Sequence, residues 1–482
     1  MLDLRPVGYV LGLLTIVLGA AMLFPMALDL ADGNRNWQAF AVSSALAIAL
    51  GGSIALASAN FDMRQMSVRE AFLLTTATWS VLPMVGAIPF VLGQPDVSLT
   101  DAYFEAVSGM TTTGATMFHD LDTLPRGVNL WRGALQWLGG LGIVIVALIF
   151  LPVMRVGGMQ FFRSEGFDTL GKVLPRAIDI SRGLLTAYVV LTLACAASYG
   201  ALGMDWYEAS VHAMTTLATG GFSTTDASFA AFSGPAEYAA VTFMILGAVP
   251  FIRFIQLANG DPWAMVRDVQ VRAFVRWIAY ACGAVIMWRL VMMGHDPEPA
   301  VRESLFNVVS LFTGTGYSSA DITTWGSFSF AVIFVVGLIG GCTASTGCSV
   351  KVFRYLVLKE ALITQLRLLA SPRTVTAPRL GGRPIERDVI DSVITFTVLF
   401  FLTLAVSAVV LSLTGLETQT AITAAWTAVA NIGPAYGPEV SASGSMEAFP
   451  TPAKWIMIFC MLVGRLELLA VFVLFTTAFW RG

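Results

Sequence analysis

Four short polar stretches interrupt an otherwise apolar chain: TTTGATMFHD at 111–120, ATGGFSTTD at 218–226, FTGTGYSSAD at 312–321 and ANIGPAYGP at 430–438. Each sets glycine beside threonine, serine or asparagine, and none contains Lys or Arg. The chemistry such a stretch offers is that of its peptide oxygens. Glycine visits positive φ without a steric penalty, so neighbouring carbonyls can point to one side. A ring of carbonyls can replace the water around a bare cation. The oxygen-bearing candidates are Thr112, Thr113 and Gly114, then Thr219, Gly220 and Gly221, then Thr315 and Gly316, and finally Asn431, Ile432 and Gly433.

Aligned on Gly114, Gly221, Gly316 and Gly433, the stretches stand 107, 95 and 117 residues apart. That regularity implies one unit used four times. Before each turn lies a segment too short to cross a bilayer: 100–110, 205–217, 299–312 and 417–430. Acids at their starts (Asp101, Asp205, Glu298, Glu303 and Glu417) suit the positive end of a helix dipole, leaving the negative ends toward the turns. A crossing needs about 20 mostly apolar residues. Ten runs meet this: 7–30, 37–59, 68–92, 129–153, 183–203, 236–257, 273–293, 327–358, 388–413 and 453–479.

The predicted fold is therefore an all-α integral membrane protein. Four pseudo-symmetric helix–pore-loop–helix repeats (63–165, 166–265, 266–375 with a broken inner helix, and 376–482) surround one pore, preceded by a two-helix addition at 1–62. Irregular backbone cannot face lipid, but it is tolerated where it lines a water-filled path. Ordinary external loops are the competing account of any single turn; four at matching positions favour the pore.

Composition agrees. Of 482 residues, 56% are hydrophobic and 12% charged, half the charged share of a soluble domain. The net charge of −3 gives no reason to expect nucleic acid as a partner. The first run is too long for a signal h-region and lacks an A-x-A end, so it reads as a retained helix. Cations set the orientation. Inner loops carrying Arg155, Arg163, Lys172, Arg176 and Arg182, then Arg253, Arg267, Arg272 and Arg276, then eight Lys or Arg in the longest of them, 351–387, mark the cytoplasmic side. The N-terminus is then cytoplasmic and all four turns face outward.

Two features lie beyond the turns. The eighth run contains GGCTASTGCS at 340–349, whose three glycines and four Ser/Thr disfavour continuous helix. Gly340, Gly341, Thr343, Ala344, Ser345, Thr346 and Gly347 form either a flexible gate or a small-residue packing surface. Arg465 stands within the tenth run, where an arginine costs about 2.5–3.5 kcal/mol on insertion scales. It serves either as an electrostatic barrier to cations or in a structural ion pair, with Glu467 two positions on.

The histidines (His119, His212 and His295) show no metal-ligand spacing, and the five cysteines form no CxxC pair. No GxSxG, HExxH or phosphate-binding loop occurs, so a membrane enzyme acting on a lipid-linked substrate finds no machinery here.

SGMTTTGAT, ATGGFSTTD, GTGYSSAD and NIGPAYG, with GGCTASTGCSVKVFR and GRLELL further on, resemble the Trk/Ktr/HKT superfamily of potassium transporters over the whole chain. The match is greatest with bacterial TrkH-type pore subunits, which carry the two extra N-terminal helices. The resemblance implies potassium as the transported ion, no covalently bound cofactor, a filter centred on the four glycines, a gating loop at 340–349 and Arg465 projecting into the pore. It also implies inner-membrane residence among lipid and a homodimer docked on a cytosolic nucleotide-binding TrkA-like ring. A sodium-permeable or sodium-coupled member of the superfamily is the alternative. Four glycines favour potassium, since relatives with Ser in the first turn resemble sodium-permeable types. Cys342 and Cys348 depart from the family's usual small residues.

Overall fold

The computed structural model describes residues 3–60, 67–149, 173–373 and 377–481. Arg155, Arg163 and Lys172, the end of the run 129–153, and the repeat boundaries near 62, 165 and 375 lie outside them. Among the described residues seven helices are long and apolar enough to cross a membrane. Two sharply bent helix pairs raise that to nine. Strand among the described residues is confined to one small hairpin, Arg379–Leu380 against Arg383–Pro384. The chain divides into two compact units, Met1–Gly139 with Gly220–Ser228 and Ala405–Gly482, and Gly140–Thr219 with Phe229–Leu404.

In the first unit, small residues let helices meet at backbone distance. The span Arg5–Ala31 crosses Trp37–Ala57 through Gly12 and Gly51. A Cβ on Gly12 would lie 2.7 Å from the Gly51 carbonyl oxygen. In lipid, where apolar side chains gain little by meeting each other, such close contact drives association. Asp29 then joins this pair to helix Arg126–Ile149, accepting from the Gly127 backbone N–H at 2.7 Å and the Asn36 amide at 3.0 Å. The helix Leu99–Met110 follows Val68–Gly86 and packs against it and against Thr451–Arg465.

In the second unit, Val173–Ala201 packs on Trp206–Leu217, and Val269–Val291 on Pro297–Thr313. Two expectations change here. The run 236–257 is a broken pair, Pro235–Gly247 and Phe251–Ala258, bent by 91°. Pro250 lacks the N–H that continuation requires. The stretch after the 340–349 break, expected to leave the membrane as a basic loop, is helical over Val352–Ala370. Its Arg354 is buried with the guanidinium 3.6 Å from the Phe396 ring centre, so that cation belongs to the packing and not to a loop. Back in the first unit, the tenth run also breaks, between Thr451–Arg465 and Leu469–Phe475, with a 106° bend.

Candidate cation filter and gate

The four short segments are helices: Leu99–Met110, Trp206–Leu217, Pro297–Thr313 and Thr418–Ala430. At 1.5 Å per residue the 12-residue examples reach only about 18 Å, short of a hydrocarbon core of about 30 Å. Two of the four starts are capped by side-chain acceptors. The Ser98 hydroxyl accepts from the Asp101 N–H and the Asp205 carboxylate from that of Tyr207. Glu303 differs from expectation: it lies inside its helix and pairs with Arg289 at 2.7 Å.

Past each helix the backbone repeats one pattern. Thr112 and Gly114 have φ of 53° and 85°, Thr219 and Gly221 of 49° and 75°, Gly314 and Gly316 of 78° and 82°, and Asn431 and Gly433 of 52° and 116°. In extended backbone with uniform φ, successive carbonyls alternate sides. Inverting every second residue brings them to one side. For a non-glycine residue the left-handed form costs about 1–2 kcal/mol, so Thr112, Thr219 and Asn431 occupy it under constraint from their surroundings.

In the first unit, three turns supply those constraints to one another. A Cβ on Gly114 would stand 2.1 Å from the Gly220 oxygen, and one on Gly433 2.8 Å from that of Thr113. The Asn431 amide donates to the Thr113 hydroxyl and to the Met461 carbonyl, both at 2.9 Å. The Ile432 N–H donates to Thr427 at 3.1 Å, and the Gly433 N–H to its hydroxyl at 2.7 Å. Gln136 donates to the Gly220 carbonyl at 2.6 Å and accepts from the Phe222 N–H at 3.1 Å. Beneath lies a buried ion pair, Glu105 with Arg132, at 2.8 Å. Glu105 accepts the Met117 N–H, and Arg132 donates to the Ser223 carbonyl, both at 2.8 Å.

The second unit holds Thr219, Thr315, Gly316 and the segment 340–349. The Thr313 and Thr315 hydroxyls pair at 2.7 Å, repeating the 2.7 Å pair of Thr111 and Thr113. Asn307, nine residues before Gly316, accepts the Ser319 N–H at 3.2 Å. Glu105 stands at the matching place before Gly114. The Tyr317 hydroxyl bonds Thr215 and donates to the His212 carbonyl at 3.2 Å, tying the third turn to the second short helix.

Segment 340–349 is irregular and buried, and it interlocks with the broken pair Pro235–Gly247 and Phe251–Ala258. The Cys342 N–H donates to Ala248 at 2.9 Å, and the Phe251 N–H to Ala344 at 3.0 Å. The Thr346 hydroxyl reaches the carbonyls of Gly247 at 2.8 Å and Leu217 at 3.0 Å. A Cβ on Gly347 would lie 3.2 Å from the Thr313 oxygen. Gly340 has φ 80° and could not carry a Cβ, which would meet the Cys348 oxygen at 2.0 Å. Gly341 touches Gly347, while Thr343 donates its N–H to Gln270 at 3.0 Å, and Ser345 its hydroxyl to Cys342 at 2.6 Å. The segment therefore lies against the C-terminal ends of the second and third short helices.

Arg465 is buried, 4% exposed, as the last residue of Thr451–Arg465 and not at the middle of a straight span. The preceding Gly464 sits against the fourth turn: its Cβ would be 2.1 Å from the Val429 oxygen. Glu467 is equally buried, at φ 62° in the bend.

The residues that sequence reasoning missed are Gly314, the clamp Gln136, the pair Glu105–Arg132, and Gly464. Register alone locates Gly314, two before Gly316 as Thr112 is two before Gly114. Five residues past Gly114, His119 meets Asp120 at 2.9 Å and Glu447 at 3.2 Å. The hydrogen bond to Asp120, aided by the charges of Glu447, Asp120 and Asp226, raises its pKa above 6.5 against slight desolvation.

Comparison with known proteins agrees with this architecture. The family model described as TrkH, cation transport protein, matches residues 36–481. The Trk system potassium uptake protein TrkI of Halomonas elongata is 38% identical over 99% of this chain and 97% of its own. The Trk system potassium uptake protein TrkH of Escherichia coli K12 is 34% identical over 99% of both chains. The crystal structure of the potassium transporter TrkH from Vibrio parahaemolyticus superposes with a TM-score of 0.92, at 30% identity, over 99% of this chain and 100% of that one. A multi-pass membrane protein of four matching turns, this chain belongs to the TrkH family of cation transport proteins.

Proposed function

We infer that this chain takes up potassium through a gated pore. Its filter is formed by oxygens of Thr112, Thr113, Gly114, Thr219, Gly220, Gly221, Thr315, Gly316, Asn431, Ile432 and Gly433, with Gly314 added by register. One observation carries the reading. The same left-handed, ordinary, left-handed backbone recurs at 112–114, 219–221, 314–316 and 431–433. Three of the four turns open on a non-glycine residue held left-handed and the other on a glycine, each before a shared glycine; presenting peptide oxygens to a cation is a reason to keep that backbone. The names of the relatives support potassium as that cation. The membrane potential supplies the drive, about 2.3 kcal/mol per charge per 100 mV.

The gate in this reading is the segment Gly340, Gly341, Thr343, Ala344, Ser345, Thr346 and Gly347, with Arg465 as an electrostatic barrier. Support comes from the contacts of Thr346 and Gly347 with helix ends directly preceding filter turns, and from the burial of an arginine beside a glycine that abuts the fourth turn. The repeats 63–165, 166–265, 266–375 and 376–482 each contribute one turn, after the addition 1–62. The protein sits in the inner membrane with its N-terminus in the cytoplasm, as the distribution of Lys and Arg supports. It works as a homodimer with other Trk components, a nucleotide-binding TrkA-like ring engaging the basic segment 351–387. The phrase "Trk system" in the relatives' names supports such an assembly.

The test is rubidium uptake into proteoliposomes at an imposed inside-negative potential, with potassium or sodium as competitor. Strong competition by potassium and weak competition by sodium is expected. Equal competition, or none by either, overturns the reading.

A further inference from the structure

We propose that Gln136 is a positioning residue for ion selectivity, acting as a two-ended clamp on the second turn. The proposal rests on the filter reading above. Gln136 is wholly buried on helix Arg126–Ile149, and its single carboxamide is used at both ends. The nitrogen donates to the Gly220 carbonyl at 2.6 Å, and the oxygen accepts from the Phe222 N–H at 3.1 Å. These groups flank Gly221, whose φ of 75° is the filter-forming inversion. The carboxamide thus spans the one residue whose conformation aims the carbonyls.

The same contact sets the spacing between two turns. A Cβ on Gly220 would meet the Gln136 amide carbon at 2.4 Å, so the clamp and a side chain cannot coexist. The clamped Gly220 oxygen is the atom that a Cβ on Gly114 would meet at 2.1 Å. One turn along the Gln136 helix, Gly139 rests on the end of the first short helix: its Cβ would lie 1.9 Å from the Met110 oxygen. Residues three apart share a helix face. One face therefore seats on the first turn's helix through Gly139 and holds the second turn through Gln136, fixing their separation. Selectivity among cations of equal charge depends on the geometry and number of carbonyl oxygens presented.

The chemistry demands a group that donates and accepts at once. Glutamate matches the shape but, ionised, cannot donate to Gly220, and methionine matches the length with no donor and only a weakly accepting sulfur. Asparagine keeps the neutral carboxamide but is one methylene too short to reach both peptides.

The experiment measures rubidium uptake into proteoliposomes with sodium or potassium as competitor, for Gln136→Met, Gln136→Glu, Gln136→Asn and, in parallel, Gly433→Ser. Monodispersity and melting temperature are recorded for each. The expected result is an at least tenfold fall in potassium-over-sodium preference for every Gln136 variant that remains monodisperse. A purely structural role would lower yield, melting temperature or maximal rate and leave that ratio unmoved. Should Gly433→Ser lose selectivity while monodisperse Gln136 variants keep it, the clamp is refuted and the filter reading stands. Should all retain it, both fall. Asparagine, neutral and smaller, guards against misfolding of the Met and Glu variants, and its unchanged ratio alone overturns the proposal.

Discussion

Glu105 and Arg132 form an ion pair of 2.8 Å with both side chains essentially inaccessible to solvent. One member lies on the first short helix and the other on Arg126–Ile149, and between them they hold the backbone of Met117 and Ser223, just beyond the turns at 112–114 and 219–221. Removing one partner of a buried pair leaves an uncompensated charge and costs about 3–5 kcal/mol. Arg132→Met is therefore expected to lower the melting temperature of the detergent-solubilised protein strongly. Glu105→Gln in the same chain should recover part of the loss, because no charge then remains buried. A single variant as stable as the parent would show that the pair bears no strain.

Gly114 and Gly433 both occupy left-handed backbone, yet their surroundings differ. A side chain at Gly114 meets a carbonyl oxygen at 2.1 Å, whereas at Gly433 the nearest lies at 2.8 Å. Both serine variants incur the left-handed cost of about 1–2 kcal/mol and both press on the carbonyl of a neighbouring turn, Gly114→Ser by the larger overlap. Potassium-over-sodium preference in rubidium competition should fall in both and further in Gly114→Ser. The reverse order would mean that room beside the glycine does not govern the effect.

Much of this arrangement was readable from residue types. The short helices were expected at 100–110, 205–217, 299–312 and 417–430 and are found within about two residues of those limits, because polar turns and apolar spans bracket them. The break at 340 was legible for the same reason. Gln136 was not: within an apolar run it is one polar residue, and its partners are more than eighty positions away. Thr112 and Thr219 were read for their oxygens, since nothing local marks a threonine as left-handed. Their conformation is imposed by neighbours in space. Helix Val352–Ala370 was read as part of an inner loop because its cations served only to set the orientation, whereas one of them, Arg354, is packed against Phe396.

His119 stands five residues past Gly114 between Asp120 and Glu447. Its pKa is raised above 6.5, first by the hydrogen bond to Asp120. The sign follows: the protonated form is favoured in the folded protein, so the stabilising contact is complete below pH 6.5 and is lost as pH rises through the raised value. Above it the surface loses a positive charge and the local field on cations grows more attractive. Rubidium influx at low ionic strength should rise across this titration when outside pH is varied. The step should shift to lower pH in Asp120→Asn and vanish in His119→Gln. A step unaltered in His119→Gln would assign it elsewhere.

Thr346 offers the sharpest test of the gate. Its hydroxyl bridges the Leu217 and Gly247 carbonyls, at 3.0 and 2.8 Å, and its backbone N–H also reaches Gly247 at 3.2 Å. Valine keeps the branched shape and removes only the hydroxyl. The net worth of one such hydrogen bond is about 0.5–1.5 kcal/mol. If these bonds exist only while the segment blocks conduction, losing them shifts the closed–open balance by that amount, roughly 2- to 12-fold at 1.4 kcal/mol per decade. Rubidium leak into proteoliposomes lacking any cytosolic partner should rise by that factor in Thr346→Val, with potassium-over-sodium preference unchanged. A change in preference without added leak would instead place Thr346 in the filter, acting through the Leu217 end of the second short helix.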